Sequence, residues 1–267
     1  MSTYVIFKLR PYLGEATAAA WHTAVACLST GIVAAGLFLF PLPAFADPPK
    51  LYGWREVWAG ADASTHVWLA YSGATVAPYS DMFSDGLRLR AATGFGEYSY
   101  VGERNAQMQS FNAQTAFVDA LVGYLQRLGP LTAKAFAGVS AIEHDVRPSD
   151  PQNPVQGREY GPKAVLELWL NMGDAAWSSL DASWTTAHET YAGRIRTGYR
   201  LFDDVSFGVE ARVNGNALDK DARGGLFVRY AWTGGEISLA GGLAGRFFDD
   251  AHDMHDPYGT LCWLMQF

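Results

Sequence analysis

The sequence predicts an all-β protein, an antiparallel transmembrane β-barrel of about 12 strands that follows an N-terminal helical signal peptide. Three features predict it: an export signal, a period-two alternation of apolar and polar residues from Val57 onward, and connections that alternate in length. The composition agrees, with 49% apolar and 18% charged residues, 28 Gly, 9 Trp, 13 Tyr and 15 Phe. A barrel in lipid needs aromatic belts and few outward charges. Beyond residue 46, the sequence has no run of about 20 apolar residues, which a transmembrane helix would need.

Residues 1–46 have the three parts of a cleaved signal peptide. A start with two basic residues precedes an apolar core at 24–40, and 41–46 ends in a small-x-small cleavage site. We therefore expect a signal peptide at 1–46 and an outer-membrane barrel domain at 47–267. A membrane anchor is the alternative because the leader is long, but the prolines and small residues before the site favour cleavage.

Charge and cysteine content exclude other classes. The formal net charge is −7, and the sequence has no basic run, so no nucleic-acid partner is expected. Of the two cysteines, Cys27 lies in the leader and Cys262 in the mature domain, which therefore cannot form an internal disulfide. The closed ladder of backbone hydrogen bonds must then supply the stability of the barrel.

The period-two pattern divides the mature domain into strands. In one of them Val205, Phe207 and Val209 alternate with Ser206 and Glu210, so one face is apolar and the other polar. The predicted strands lie near 54–63, 66–76, 86–100, 108–126, 131–144, 160–172, 175–187, 190–202, 204–214, 220–232, 235–248 and 257–267. The number is even, as in bacterial single-chain barrels.

Long and short connections alternate when the carboxyl end is placed in the periplasm. The long outward loops are 145–159, 215–219 and 249–256, and the short periplasmic turns are 127–130, 173–174, Asp203 and 233–234. Two connections depart from the rule: the outward turn near Ser64–Thr65 is tight, and the periplasmic loop 77–85 is long. The sequence ends on a strand that is apolar at every second position up to Phe267, which is typical of barrel proteins of this class.

The polar faces of the strands carry a row of charged residues that we expect to line the lumen. The candidate lumen-lining residues are Arg88, Arg90, Lys134, Glu167, Arg194, Arg196, Arg200, Glu210, Arg212 and Arg229, with Arg223, Arg246, Asp119 and Asp181 in the same register. One interpretation is an arginine–carboxylate network that fills a narrow barrel, with Glu210 or Glu167 as partners of Arg196 and Arg200. The other is a lumen that favours anionic or hydroxyl-rich solutes. The available carboxylates favour the network.

No catalytic residue, cofactor site or metal site is expected. The sequence has no phosphate-binding Gly-rich loop, paired-cysteine motif or nucleophile elbow. His188-Glu189 follows Ser183 and Thr185, which permits a Ser-His-acid lipid hydrolase as a minor alternative to a solvated rim. The loop 249–256 holds four carboxylates and two imidazoles. They could bind a divalent cation, but a hydrophilic loop is the simpler interpretation.

Short motifs follow one another in a definite order along the mature chain. They are Asp85-Gly86-x-Arg88-Leu89-Arg90, Tyr98-x-Tyr100, Gly123-Tyr124, Asp150-Pro151 before Gly157, Gly161-x-Lys163 with Glu167-x-Trp169, Arg196-x-Gly198-Tyr199-Arg200, and Gly208-x-Glu210. In their order and spacing the sequence resembles the cellulose biosynthesis protein BcsS family, predicted outer-membrane proteins encoded alongside bacterial cellulose synthase components.

The resemblance implies a non-enzymatic, accessory role in making, exporting or anchoring cellulose at the cell surface. The expected partners are outer-membrane lipid and cellulose or other components of the cellulose synthase and secretion system. Aromatic strand residues, among them Trp58, Trp169 and Trp184, are available to stack on sugar rings. A general porin-like solute channel is the rival class.

Overall fold

The computed structural model describes residues 53–104, 107–245 and 254–267. Within them, twelve strands close into one antiparallel barrel, in which each strand pairs with its neighbours in sequence and the first pairs with the last. The predicted all-β barrel of about 12 strands is thereby confirmed. The predicted signal peptide at 1–46, Arg246 and most of the loop 249–256 lie outside the described residues. No helix in the described part of the chain is long and apolar enough to cross a membrane.

The strand bounds follow the predicted segments closely. The strands are β1 Arg55–Ser64, β2 Val67–Val76, β3 Gly86–Arg104, β4 Gln107–Leu128, β5 Leu131–Arg147, β6 Gly157–Met172, β7 Ala176–Thr185, β8 Tyr191–Arg200, β9 Val205–Gly215, β10 Lys220–Trp232, β11 Gly235–Gly245 and β12 Met254–Gln266. One 3₁₀ turn, Ala187–Glu189, lies between β7 and β8. The tight connection at 65–66 and the long one at 77–85 are both present, as the sequence predicts.

Contacts between strands that are not neighbours identify the inner face of the barrel. The Arg90 side chain on β3 pairs with Glu167 on β6, and Lys134 Nζ on β5 lies 3.8 Å from Glu56 Oε2 on β1. Side chains on the outside of a ring cannot meet in this way, so these contacts cross the interior. Because successive side chains of a strand point to opposite faces, the register assigns every second residue of each strand to the interior.

The opposite face is exposed and apolar. Val118, Val139, Leu226 and Leu239 are each at least 60% exposed on this face. A continuous apolar surface around a closed barrel is unfavourable in water and matches the hydrocarbon of a membrane.

Strands β3 to β6 extend beyond the others at the end opposite the chain termini. They have 19, 22, 17 and 16 residues, whereas a tilted strand crosses a membrane in about 9–11 residues. The outward residues Asn112, Gln114 and Asp145 at their ends are polar, and the apolar band begins near Ala116 and Ala141. The four strands therefore form a sheet, here called the flange, that projects past the apolar band at the end opposite the chain termini. Following the predicted orientation, this end is called the outer end and the opposite one the periplasmic end.

The flange is where the predicted strand bounds were too short. The sequence predicts strand ends at 100, 108, 144 and 160, but pairing continues to Arg104, Gln107, Arg147 and Gly157. Outside the lipid, neither face needs to be uniformly apolar, so the period-two signal weakens while the backbone ladder continues.

Candidate functional site

The periplasmic end of the interior is occupied by the loop 77–85. The Arg88 guanidinium, which is fully buried, donates hydrogen bonds to Ser80 Oγ at 2.9 Å and to the carbonyls of Asp81 and Ser84 at 2.9 and 2.5 Å. The amide of Met82 donates to the carbonyl of Gly53 at 2.8 Å. A hydrogen bond with the Ser84 side chain is the main cause that holds the pKa of Asp81 below its usual range. The loop is thus attached to β3 and to the start of β1.

An ionic cluster lies above this loop and joins four strands. It consists of Glu56 on β1, Arg90 on β3, Lys134 on β5 and Glu167 on β6. Lys134 Nζ lies 3.6 Å from Glu167 and 3.8 Å from Glu56, and Gln266 donates to Glu56 at 2.8 Å. Two cations face two carboxylates, so the cluster is neutral as a unit.

An aromatic layer lies inside the barrel, near the periplasmic ends of β6 and β7. The rings of Trp169 and Trp177 stack with centroids 4.2 Å apart, and Phe227 lies 5.4 Å from Trp177. The guanidinium of Arg196 lies 5.6 Å from the Trp177 ring, and that of Arg229 lies 5.2 Å from Trp169. These cation–π contacts place positive charge over electron-rich faces inside the barrel.

A second ionic cluster lies towards the outer end. Asp62 on β1 pairs with Arg212 on β9 and with Arg223 on β10, and Arg223 also pairs with Asp221 at 2.8 Å. The Tyr258 hydroxyl on β12 donates to Glu210 on β9 at 3.0 Å.

The remaining side of the interior carries a third pair. Lys163 Nζ on β6 lies 2.6 Å from Asp119 on β4. The Ser140 hydroxyl on the intervening strand β5 donates to the same carboxylate at 2.6 Å. Polar groups therefore bridge the interior at several heights.

The structure places the candidate lumen-lining residues in these groups, but with partners that the sequence did not indicate. Arg194 pairs with Asp181 at 2.9 Å, and Arg229 pairs with Glu236. Arg196 contacts no carboxylate among the described residues; its Nε lies 3.4 Å from Ser179 Oγ. Arg200 donates to the Asp174 carbonyl and to Asn171 Oδ1 at 2.7 and 2.8 Å. The expected pairing of Arg196 and Arg200 with Glu210 or Glu167 is therefore wrong, because those carboxylates are held by Tyr258, Arg90 and Lys134.

Sequence reasoning missed three interior residues that hold these groups together: Glu56, Asp62 and Trp177. Glu56 and Asp62 share the alternation of β1 with Trp58, so extending the period-two pattern to the first strand would have found them. Of the tryptophans considered for sugar stacking, Trp169 is packed in the interior, whereas Trp184 points outward and is 51% exposed.

The loop 148–156 lies at the outer end of the barrel, against the flange. The rings of Tyr100 and Phe111 stack on the inner face of the flange with centroids 5.2 Å apart. The Tyr100 hydroxyl donates to Asp150 at 2.9 Å and accepts from Asn153 at 2.7 Å. Val155 in the same loop is fully buried, so the loop is folded onto the flange.

His188 lies at the same end in a strained turn. Its backbone φ of 50° is uncommon for a residue other than glycine. Its Nδ1 lies 3.2 Å from Glu159 Oε2, and its ring packs against His144 with centroids 4.9 Å apart. Its Nε2 is buried with no hydrogen-bond partner among the described residues, so no serine hydroxyl completes a Ser-His-acid arrangement. No group of three or more His, Cys, Asp or Glu side chains in the described ranges could hold a metal ion.

Fold and interior together define the class: an outer-membrane-type β-barrel whose interior is crossed by ion pairs and stacked aromatic rings. The chain belongs to the family described as cellulose biosynthesis protein BcsS, whose model matches residues 57–267. The resemblance inferred from the sequence is thus confirmed. No curated protein sequence matches the chain.

Several solved structures are similar to the chain. The KdgM porin is 8% identical, with 79% of this chain and 99% of that chain covered and a TM-score of 0.43. The transport unit of the autotransporter AIDA-I from Escherichia coli is 11% identical, with 91% and 98% covered and a TM-score of 0.47. An outer membrane channel from Pseudomonas putida F1 is 12% identical, with 84% and 100% covered and a TM-score of 0.41. At these identities and scores, none of them bears on what this chain binds or carries.

Proposed function

We propose that this protein is a non-enzymatic outer-membrane barrel that assists cellulose production by acting at the cell surface, not as a conduit. Export through the leader at 1–46 would deliver it to the outer membrane, where lipid would cover the apolar outward face. The cellulose role is supported by membership of the family that matches residues 57–267.

The observation that carries the proposal is the set of contacts that cross the interior. A polysaccharide passing through the barrel would have to displace the pair Arg90–Glu167 and the cluster of Asp62 with Arg212 and Arg223. Leaving one charge of a buried ion pair without its partner typically costs about 3–5 kcal/mol of stability. The same groups would obstruct a general solute channel, which is the rival class.

Gene deletion tests the cellulose role directly. We expect extracellular cellulose to fall in the deletion strain and to return when the wild-type gene is supplied. Unchanged cellulose with lost uptake of a solute would contradict the proposal and support the channel.

The enzyme alternative is tested in the same strain. A lipid-modifying barrel would leave an altered lipid profile after deletion, and His188→Ala would reproduce that profile while the barrel stays folded. We expect the profile of both strains to match that of the parent.

A further inference from the structure

A cleft lies on the outside of the barrel, at the outer ends of β7 to β10. It has a volume of about 450 Å³ and is lined by Trp184, Thr186, Glu189, Tyr191, Asn216 and Lys220. Its volume is within the range of about 300–1,000 Å³ that is usual for small-molecule sites. The pairs and layers of the interior do not involve these six residues, so the cleft is separate from the lumen.

Two aromatic side chains form one wall of the cleft. Trp184 and Tyr191 are directly opposite each other in the pairing of β7 with β8, and both point outward. A Cβ at Gly215 would lie 2.4 Å from the Tyr191 hydroxyl oxygen, so the tyrosine side chain lies against this glycine. Aromatic rings offer flat apolar faces, and the C–H face of a pyranose ring packs on such a surface.

A rigid turn supplies a carboxylate to the cleft. His188 and Glu189 are consecutive residues with φ of 50° and 52°, and as a result the first side chain is buried and the second is exposed. The turn is held by hydrogen bonds from the Glu189 amide to the Thr186 carbonyl at 3.0 Å and from the Ala217 amide to the His188 carbonyl at 3.0 Å. The position of Glu189 is therefore set by the backbone.

The other polar groups complete a neutral set of donors and acceptors. Asn216 Oδ1 accepts from the amides of Leu218 and Asp219 at 2.8 and 2.9 Å, which leaves the side-chain NH₂ as a donor. One ammonium, on Lys220, balances the one carboxylate, on Glu189. Such a lining matches an uncharged, hydroxyl-rich ligand better than a phosphate group, which the carboxylate would repel.

Aromatic residues at the lipid boundary are common in barrels, where they form girdles. Trp184 and Tyr191 differ from simple girdle residues because an acid, an amide, a hydroxyl and an ammonium surround them. We propose that this cleft binds a β-linked glucan chain, with its sugar rings on Trp184 and Tyr191 and its hydroxyl groups bonded to Glu189 and Asn216. The proposal rests on the cellulose role proposed above.

The test is direct binding by the full-length barrel purified in detergent. Cellohexaose is titrated by calorimetry into the wild type and into Trp184→Ala, Glu189→Gln and Trp263→Ala. Trp263 is the matched control because it also points outward but lies near the periplasmic end of β12. We expect Trp184→Ala to weaken binding about tenfold or more, equivalent to about 1.4 kcal/mol. Glu189→Gln should weaken it severalfold and Trp263→Ala not at all, with heat-modifiable migration unchanged in each.

The possible outcomes distinguish a failure of the proposed binding site from a failure of the proposed role in cellulose production. Absence of cellohexaose binding by the wild type, or equal binding by wild type and Trp184→Ala, would overturn the site. Binding of maltohexaose or of vesicles with anionic headgroups in preference to cellohexaose would overturn the ligand assignment. If Trp184→Ala does not fold, Glu189→Gln decides, since the hydrogen bonds that hold the turn among the described residues come from the backbone and not from the Glu189 side chain. Specific binding with unchanged cellulose in the deletion strain would leave the site standing and reject only the cellulose role.

Discussion

The Asp62 cluster offers a quantitative test of the idea that ion pairs hold the barrel interior together. Asp62 is the carboxylate shared by Arg212 and Arg223, and the three side chains are only 14%, 12% and 9% exposed. Asp62→Asn removes the negative charge while preserving the shape. Arg223 would keep Asp221 at 2.8 Å, whereas the one other recorded partner of Arg212 within the described residues is the Thr260 hydroxyl at 3.2 Å.

One arginine would thus be left without a carboxylate in a largely buried position. Removing one partner of a buried ion pair lowers the free energy of unfolding by about 3–5 kcal/mol. We expect the lower end, about 3 kcal/mol, because the asparagine still accepts a hydrogen bond and one arginine retains a partner. That loss corresponds to an unfolding equilibrium constant changed by about 150-fold.

Urea unfolding of the barrel in lipid vesicles, followed by tryptophan fluorescence, measures this change. The matched control is Asp145→Asn on the outer face of the flange, where Asp145 pairs with Arg147 at 2.7 Å and the side chains are 49% and 77% exposed. Exposed pairs contribute about 0–1 kcal/mol, so the control should unfold near the wild-type midpoint. Equal midpoints for the two variants would refute the reasoning.

Three further predictions concern other parts of the barrel. Arg196→Met should leave the free energy of unfolding in urea unchanged or raise it, because Arg196 has no carboxylate partner in the described structure. Arg194→Met on the same strand should lower that free energy, because it leaves Asp181 unpaired. A larger loss of stability in Arg196→Met than in Arg194→Met would contradict these contacts. Gly225→Ala should destabilise the barrel by about 1–3 kcal/mol in the same assay, because the added Cβ would lie 2.3 Å from a backbone oxygen. Gly224→Ala should change the stability little, because its Cβ would meet no atom of the structure within 4 Å. Equal effects of the two variants would show that the backbone moves to accommodate the methyl group at position 225. The wild-type protein in a planar bilayer should show no steady conductance, and stable open channels with anion preference would support the porin-like alternative.

The strands and their faces were predictable because each depends on neighbouring residues. The alternation of Val205, Phe207 and Val209 with polar residues is visible within a few positions of the chain, and β9 is found there. Prediction was weaker at the outer ends of β3 to β6. There the sheet leaves the lipid, and the apolar face that produces the signal is no longer needed.

The partners inside the barrel were not predictable from the same pattern. Asp62 and Arg212 are 150 residues apart, and Tyr71 and Cys262, whose side chains meet at 3.1 Å, are 191 apart. Which inward residues meet depends on the tilt and stagger of the strands when the sheet closes. No local pattern in the chain records those quantities.

The sequence by itself therefore determined the class of fold, the number of strands, the residues that share a face, and the family resemblance. Only the tertiary structure decided that Asp62 joins two arginines, that Arg196 lies over aromatic rings with no carboxylate partner in the described part of the chain, and that Trp184 and Glu189 border one cleft. The physical reason is that alternation is a property of single strands, whereas contacts across a lumen or between loop and strand arise only when the ring is closed.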